Sequence, residues 1–261
     1  MNSDIFGLQN KVAIVVGGGF GMGETTALRL AEVGCDVAVV DIDLSRAESV
    51  AQSVRDIGRR AIAIAANVLD ETTAAPTVER VEAELGRVDV LATIVGMATR
   101  TSVLTMTPEI WDTDHQRNLR YFVFYAKAAA EAMIRSGKGG AITAVGSVTG
   151  IQSGAGLVAY ASAKAGLNNF VRSMAVELAP HNIRVNVVAP GVIKTPRGEQ
   201  RSNWAAWEAR VLDSLIPAKR FGETREVADA IVFLSSQMAS FVTGHTLAVD
   251  GGYTAQTILP E

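Results

Sequence analysis

"VAIVVGGGFGMG", residues 12–23, is the stretch whose reading decides the fold. Five apolar residues without a polar alternate read as a strand covered on both faces. Gly17, Gly18, Gly19, Gly21 and Gly23 follow, and helical spacing over 22–33 begins before they end. A strand, a glycine turn and a helix start in direct succession make a cradle for phosphate. Without Cβ atoms the backbone approaches a pyrophosphate closely, and the free N–H groups and dipole of the helix start favour its charge.

Working outward, the same alternation repeats along the chain. Strand-like runs lie at 36–40, 61–66, 89–95, 141–145, 183–189 and 246–249, and helical patterns at 44–58, 71–85, 108–135, 157–179 and 225–235. Apolar strands alternating with helices predict an α/β fold, a doubly wound parallel sheet of seven strands with helices on both faces. No repeat or linker divides the 261 residues, so the whole of 1–261 reads as one domain. The long interruption at 194–223 falls beyond the carboxyl end of the sixth strand, where ligand loops of such sheets lie, and is read as a substrate-loop insertion.

Composition narrows the class of partner. The chain is 48% hydrophobic and 20% charged with a formal net charge of −3 and no basic tract, which argues against nucleic acid. One cysteine, Cys35, excludes an internal disulfide and fits a reducing compartment. The opening "MNSDIFGLQNK" carries Asp4 and no apolar run, unlike a secretory leader, and no membrane span is read. A cytoplasmic protein is expected. His115, His181 and His245 are scattered, and with a single cysteine no metal site is assembled.

Asp41 ends the second strand, about twenty residues after the glycine turn, where a carboxylate accepts hydrogen bonds from an adenosine ribose. The same charge repels a 2′-phosphate, and Phe20 stands where an arginine would favour one, so NAD is expected over NADP. Arg46, a turn into the next helix, is read as a solvated side chain.

"VAYASAKAGL", residues 158–167, places Tyr160 and Lys164 four apart, on one helix face, with small residues between them. Together with the glycine turn, this pair identifies a resemblance to the short-chain dehydrogenase/reductase family over essentially the whole chain. The family's Thr-Gly-x-x-x-Gly-x-Gly is matched by Gly17, Gly21 and Gly23, with Val16 in place of threonine. Its Tyr-x-x-x-Lys falls on Tyr160 and Lys164, its serine thirteen residues earlier on Ser147, and its helix asparagine on Asn118. Asn186, Pro190, Gly191 and Thr195 match a later motif, and "GHTLAVDGGY" resembles the terminal strand and turn. Two segments depart from the pattern. The fourth strand ends in "TIVG", Thr93–Gly96, where the family has Asn-Asn-Ala-Gly, and Asn67 stands where aspartate usually faces adenine.

The resemblance implies a Rossmann-type domain that moves hydride between NAD and a secondary alcohol or ketone, with Asn118, Ser147, Tyr160 and Lys164 catalytic. A phenol with a pKa of about 10 is a poor base near neutrality, and a cationic Lys164 would bring it nearer the operating pH. Ser147 would hold the substrate oxygen toward Tyr160, while Asn118 would hold a relay water and Lys164 the nicotinamide ribose. The implied cofactor wall comprises Gly17, Gly19, Phe20, Gly21, Met22 and Gly23 in the turn, with Asp41, Ile42, Asn67 and Val68 after the next strands. Thr93, Ile94, Val95 and Gly96 continue it, then Tyr160 and Lys164, and finally Pro190, Gly191, Ile193 and Thr195.

For the substrate, Met97, Thr99, Gln152, Ser153 and the segment 194–216 are the expected lining, with Trp204 and Trp207 as an apolar lid beside Val192 and Ile193. This suits a bulky apolar compound, cyclic, terpenoid or steroid-like. Arg197, Arg201 and Arg210 keep open an acidic hydroxy compound or a hydroxyacyl thioester. A silent NAD-binding regulatory protein is the alternative from another class, and the complete Ser147–Tyr160–Lys164–Asn118 set argues against it. The family pairs helices 108–135 and 157–179 between subunits, so a homo-oligomer, tetramer or dimer, is expected.

Overall fold

An unbroken apolar strand needs cover on both sides, and β1 (Val12–Val16) is buried at every position. The computed structural model describes residues 4–199, 211–212 and 215–256, the side chains of residues 197 and 199 excepted. Seven strands form the main sheet: β1, β2 (Asp36–Asp41), β3 (Ala61–Ala65), β4 (Val90–Thr93), β5 (Gly140–Val145), β6 (Ile183–Pro190) and β9 (Thr246–Val249). β7 (Ile193–Lys194) and β8 (Gly222–Glu223) pair separately in parallel. The main sheet is parallel throughout, in the order β3-β2-β1-β4-β5-β6-β9. The chain winds outward from β1 on one side, then returns to β4 and winds outward on the other. The crevice at that reversal, above the carboxyl ends of β1 and β4, is where such sheets bind ligands.

The strand faces sort the helices. Val12, Ile14 and Val16 pack with α3 (Ala74–Leu85), α5 (Tyr121–Ser136) and α6 (Val158–Leu178). Ala13 and Val15 pack with α1 (Met22–Glu32), α2 (Leu44–Asp56) and α8 (Thr224–Ser235). Alternate residues of one strand thus serve two helical layers, the expected doubly wound single domain. No described helix is long and apolar enough to cross a membrane.

Two expected helices are not continuous. Residues 71–85 begin as a 3₁₀ turn, Glu71–Thr73, under the Asp70 cap. The helix expected over 108–135 is interrupted: α4 (Pro108–His115) passes into a π turn, Gln116–Arg120, before α5. Asn118 explains the break. Its side-chain Nδ2 donates to the Asp114 carbonyl at 2.8 Å, the acceptor an α-helix reserves for the Asn118 N–H.

Within 194–223, α7 (Pro196–Glu199) follows Thr195, whose hydroxyl accepts from the Gly198 N–H at 3.1 Å. Val211, Ile216 and Phe221 form a small buried cluster with Val192, Leu215 and Tyr253. Arg201, Trp204, Trp207 and Arg210 lie outside the described residues, as does the side chain of Arg197, so the expected lid lies there too.

Candidate active site

The glycine turn is built for close backbone approach. Gly17 has φ +80° and Gly21 φ +60°, left-handed values that favour glycine. A Cβ on Gly23 would drive into the Gly17 carbonyl oxygen. Gly21 is the N-cap of α1 and offers no side-chain cap; the Gly23 N–H is taken by the Phe20 carbonyl at 3.2 Å, and the Met22 and Glu24 N–H groups are left for an anion. Beside them lies a cavity of about 490 Å³, with Gly17, Phe20, Gly21 and Met22 in its wall. A dinucleotide therefore fits the residues present: the turn leaves room for it and the helix end leaves donors for its phosphates.

Asp41 and Asn67 lie at one end of that cavity. The Gly19 N–H donates to Asp41 Oδ2 at 3.0 Å and the Asp43 N–H to Oδ1 at 3.1 Å, fixing the carboxylate in place. Gly19 itself is spacing: a Cβ there would come 2.8 Å from the carboxylate. Arg46, read from sequence as solvated, is part of the wall, 5.5 Å above the Phe20 ring and 3.4 Å from Asp43. Asn67 Oδ1 accepts from the Leu69 N–H at 3.1 Å and keeps a second lone pair.

At the end of β4 the substituted segment serves the backbone. Thr93 is buried against the Tyr121 phenol and lines neither cavity. Tyr121 donates to the Val95 carbonyl at 2.9 Å, and burial pushes that phenol far above its ordinary range. Next in sequence, a Cβ on Gly96 would stand 3.0 Å from Asn118 Oδ1 and 3.3 Å from Lys164 Nζ, so only glycine lets the chain pass between them.

The second cavity, about 210 Å³, is lined by Ser147, Tyr160 and Lys164 with Val145, Pro190, Gly191 and Ile193. Met22, Ile94, Gly96 and Thr195 line both cavities, so the two adjoin. Lys164 is 2% exposed; Nζ donates to the Val145 carbonyl at 2.8 Å and lies 5.8 Å from the Tyr160 ring centroid. Burial pushes the ammonium down to about 7, so its charge is not constant near neutrality as the sequence reading assumed. Tyr160 is raised by burial, while the Ser147 hydroxyl bonded to it pulls the other way and the Asp114 carboxylate raises it further. Ser147 Oγ accepts from the Thr149 N–H at 3.2 Å and from Thr149 Oγ1 at 2.9 Å. Its acceptor sites occupied, the hydroxyl keeps its proton for donation.

Asn118 is fully buried. Besides Asp114, its Nδ2 donates to the Met97 carbonyl at 2.9 Å, and its Oδ1 accepts from the Met97 N–H at 3.2 Å. The side chain is spent on holding backbone and lines neither cavity. Gly19, Gly23 and Thr93 likewise stand behind the walls, while the other expected cofactor residues line one cavity or both. Asn186 ties β6 to the segment leading into β9 through the Val242 carbonyl and the His245 N–H. Gln152 reaches the Thr254 carbonyl at 3.3 Å. Sequence reading missed Ala66, Leu69 and Arg117 in the larger cavity. Arg117 stands three residues after Asp114, an ordinary helical ion-pair spacing, but Thr99 and the cavity wall are brought to it from distant segments; Leu69 adjoins the expected Asn67–Val68 pair. Among the described residues, no three metal-ligating side chains come together.

Comparison with known proteins finds relatives over nearly the whole chain. A family profile described as enoyl-(acyl carrier protein) reductase matches residues 18–254. The 2-dehydro-3-deoxy-D-gluconate 5-dehydrogenase of Escherichia coli K12 is 35% identical, covering 96% of this chain and 98% of its own. The cis-4-hydroxycyclohexanecarboxylate dehydrogenase of Sinomonas cyclohexanicum is 39% identical, covering 94% of this chain and 97% of its own. A solved 7α-hydroxysteroid dehydrogenase, complexed with NADH and 7-oxo glycochenodeoxycholic acid, superposes with TM-score 0.91 at 31% identity, over 97% of this chain and 98% of that one.

Proposed function

The chain belongs to the short-chain dehydrogenase/reductase family of oxidoreductases, and we propose that it interconverts a ring-borne secondary alcohol and its ketone using NAD. The observation that carries this reading is the convergence of Ser147, Tyr160 and Lys164 on one cavity that adjoins the glycine-turn cavity.

The bound nicotinamide supplies the two-electron acceptor or donor. The protein's own groups manage the proton and the geometry. Ser147 donates to the substrate oxygen and fixes it beside Tyr160. Tyr160 takes the hydroxyl proton during oxidation and returns it during reduction. A protonated Lys164 beneath the ring stabilises the phenolate, which burial alone disfavours. Asn118 is a positioning residue that fixes Met97 and, through it, the wall shared with Gly96. The glycine turn with the start of α1 would hold the diphosphate, Asp41 the adenosine ribose, and Thr195 with the backbone of Ile193 the carboxamide.

Two features support NAD over NADP. Asp41 is held by two backbone amides in the cavity wall, where it repels a 2′-phosphate, and Arg46 is paired with Asp43. A ring-borne alcohol is supported by the names of two similar proteins, a hydroxycyclohexanecarboxylate dehydrogenase and a hydroxysteroid dehydrogenase, and by the exposed apolar Met97 in the wall of the larger cavity. The test is absorbance at the NADH band with a panel of cyclic secondary alcohols, carboxylated and uncharged, with NAD and NADP in parallel. Turnover of cyclic substrates with NAD supports the reading. Turnover only of linear thioesters, or only with NADP, rejects it.

A further inference from the structure

Asp114 is a carboxylate with no exposed surface, one turn before Asn118. Its Oδ2 accepts from the Thr99 N–H at 3.1 Å; its Oδ1 accepts from Thr99 Oγ1 at 2.9 Å and from Arg117 Nε at 3.1 Å. Arg117 Nη2 also bonds Asp114 and the Thr99 hydroxyl. The Arg117 side chain is 14% exposed and belongs to the wall of the larger cavity, together with Gly96, Met97 and Thr195. Its Nη1 takes part in none of these bonds.

A buried ion pair contributes no more stability than two well-packed apolar side chains of similar volume. What this pair does that an apolar pair does not is hold a cation, in one orientation, at the cavity wall. The other charged residues of that wall are Asp41 and Arg46, and Arg46 is half-exposed and paired with Asp43. Arg117 is therefore the sheltered cation of the cavity that suits a dinucleotide, and a planar guanidinium with a free amino group matches a phosphate oxygen.

We propose that Arg117, oriented by Asp114 and Thr99, is a cofactor-binding residue that takes a phosphate group of the dinucleotide. This rests on the nicotinamide-dependent reading above. The arrangement also divides labour on the π turn: Asn118 fixes Met97, Asp114 fixes Thr99, and Arg117 meets the ligand. The cavity that holds Ser147 and Tyr160 does not include Arg117, so a substrate carboxylate is the less suited anion.

The test is titration of the purified full chain with NADH and with NADPH, followed by fluorescence at low and at high salt, with melting temperatures recorded alongside. Arg117→Met leaves Asp114 buried without its partner and is expected to lower stability. The paired replacement Asp114→Asn with Arg117→Met removes both charges while an amide oxygen still accepts from the Thr99 N–H. We expect the paired variant to melt no lower than the parent yet bind NADPH, or NADPH and NADH alike, about tenfold more weakly at low salt, with a flatter salt dependence. Arg117→Lys should recover part of the affinity. Equal losses for NADH and NADPH assign the contact to the diphosphate, and a loss confined to NADPH assigns it to the 2′-phosphate. Either supports the proposal. A folded paired variant with parental affinity and salt dependence for both coenzymes overturns it and leaves the pair a structural tie. A parent chain that binds neither coenzyme overturns the nicotinamide reading itself.

Discussion

The ammonium of Lys164 lies 5.8 Å from the Tyr160 ring centroid in a wholly buried setting, and burial pushes it down to about 7. In the folded chain this lysine has given up its proton over a range in which the unfolded chain, at about 10.5, still keeps it. The unfolded state then binds more protons, so stability rises with pH from about 7. Burial raises Cys35 from 9.0 to about 12, which offsets the lysine above pH 9 and flattens the climb there. Between pH 7 and 9, urea midpoints of the parent should climb with a slope near one proton, about 1.4 kcal/mol per pH unit. The Lys164→Met variant should show a profile flatter by that amount, and parallel profiles would refute the shift.

Gly23 stands against the Gly17 carbonyl with no room for a side chain. Gly23→Ala should cost about 1–3 kcal/mol by forcing the turn apart. NADH affinity should fall with it. Differential scanning calorimetry and a coenzyme titration check both, whereas an unchanged melting temperature would mean the turn yields freely.

Asp41 is the residue to alter for coenzyme choice. Asp41→Ser removes the repulsion while retaining an acceptor for the Gly19 N–H, and kcat/KM with NADP should rise about tenfold relative to NAD. Steady-state rates with both coenzymes decide it, and an unchanged ratio would place the discrimination elsewhere.

Trp111 on α4, Ile134 on α5 and Val176 on α6 are 39%, 39% and 77% exposed, apolar groups on the helices expected to pair between subunits. Light scattering at micromolar chain concentration should give a dimer or tetramer mass. A monomer would contradict the expectation.

Most of this architecture was legible because parallel strands buried on both faces leave unbroken apolar runs. The strands read from sequence at 12–16 and 246–249 coincide with β1 and β9, the other strands of the main sheet differ from the reading by a few end residues, and the two-residue β7 and β8 are absent from it. What escaped depends on contacts between distant segments. The helical spacing of 108–135 continues across residues 116–120, so the sequence pattern does not announce the π turn; the Asn118 side chain that takes the Asp114 carbonyl also reaches Met97, a contact only the fold provides. The Asp114–Arg117 pair has local helical spacing, but the Thr99 that joins it and the cavity wall it faces are brought there only by the fold. Thr93, expected to touch cofactor, is turned toward Tyr121 because the end of β4 is covered by α5.

The central claim is that Tyr160 carries the proton. The most direct measurement compares kcat and NADH affinity of Tyr160→Phe with the parent, using whichever alcohol the panel identifies. The account predicts a fall in kcat of about 10²–10⁴-fold with coenzyme affinity unchanged. A Tyr160→Phe enzyme that keeps parental kcat across the pH range would contradict it.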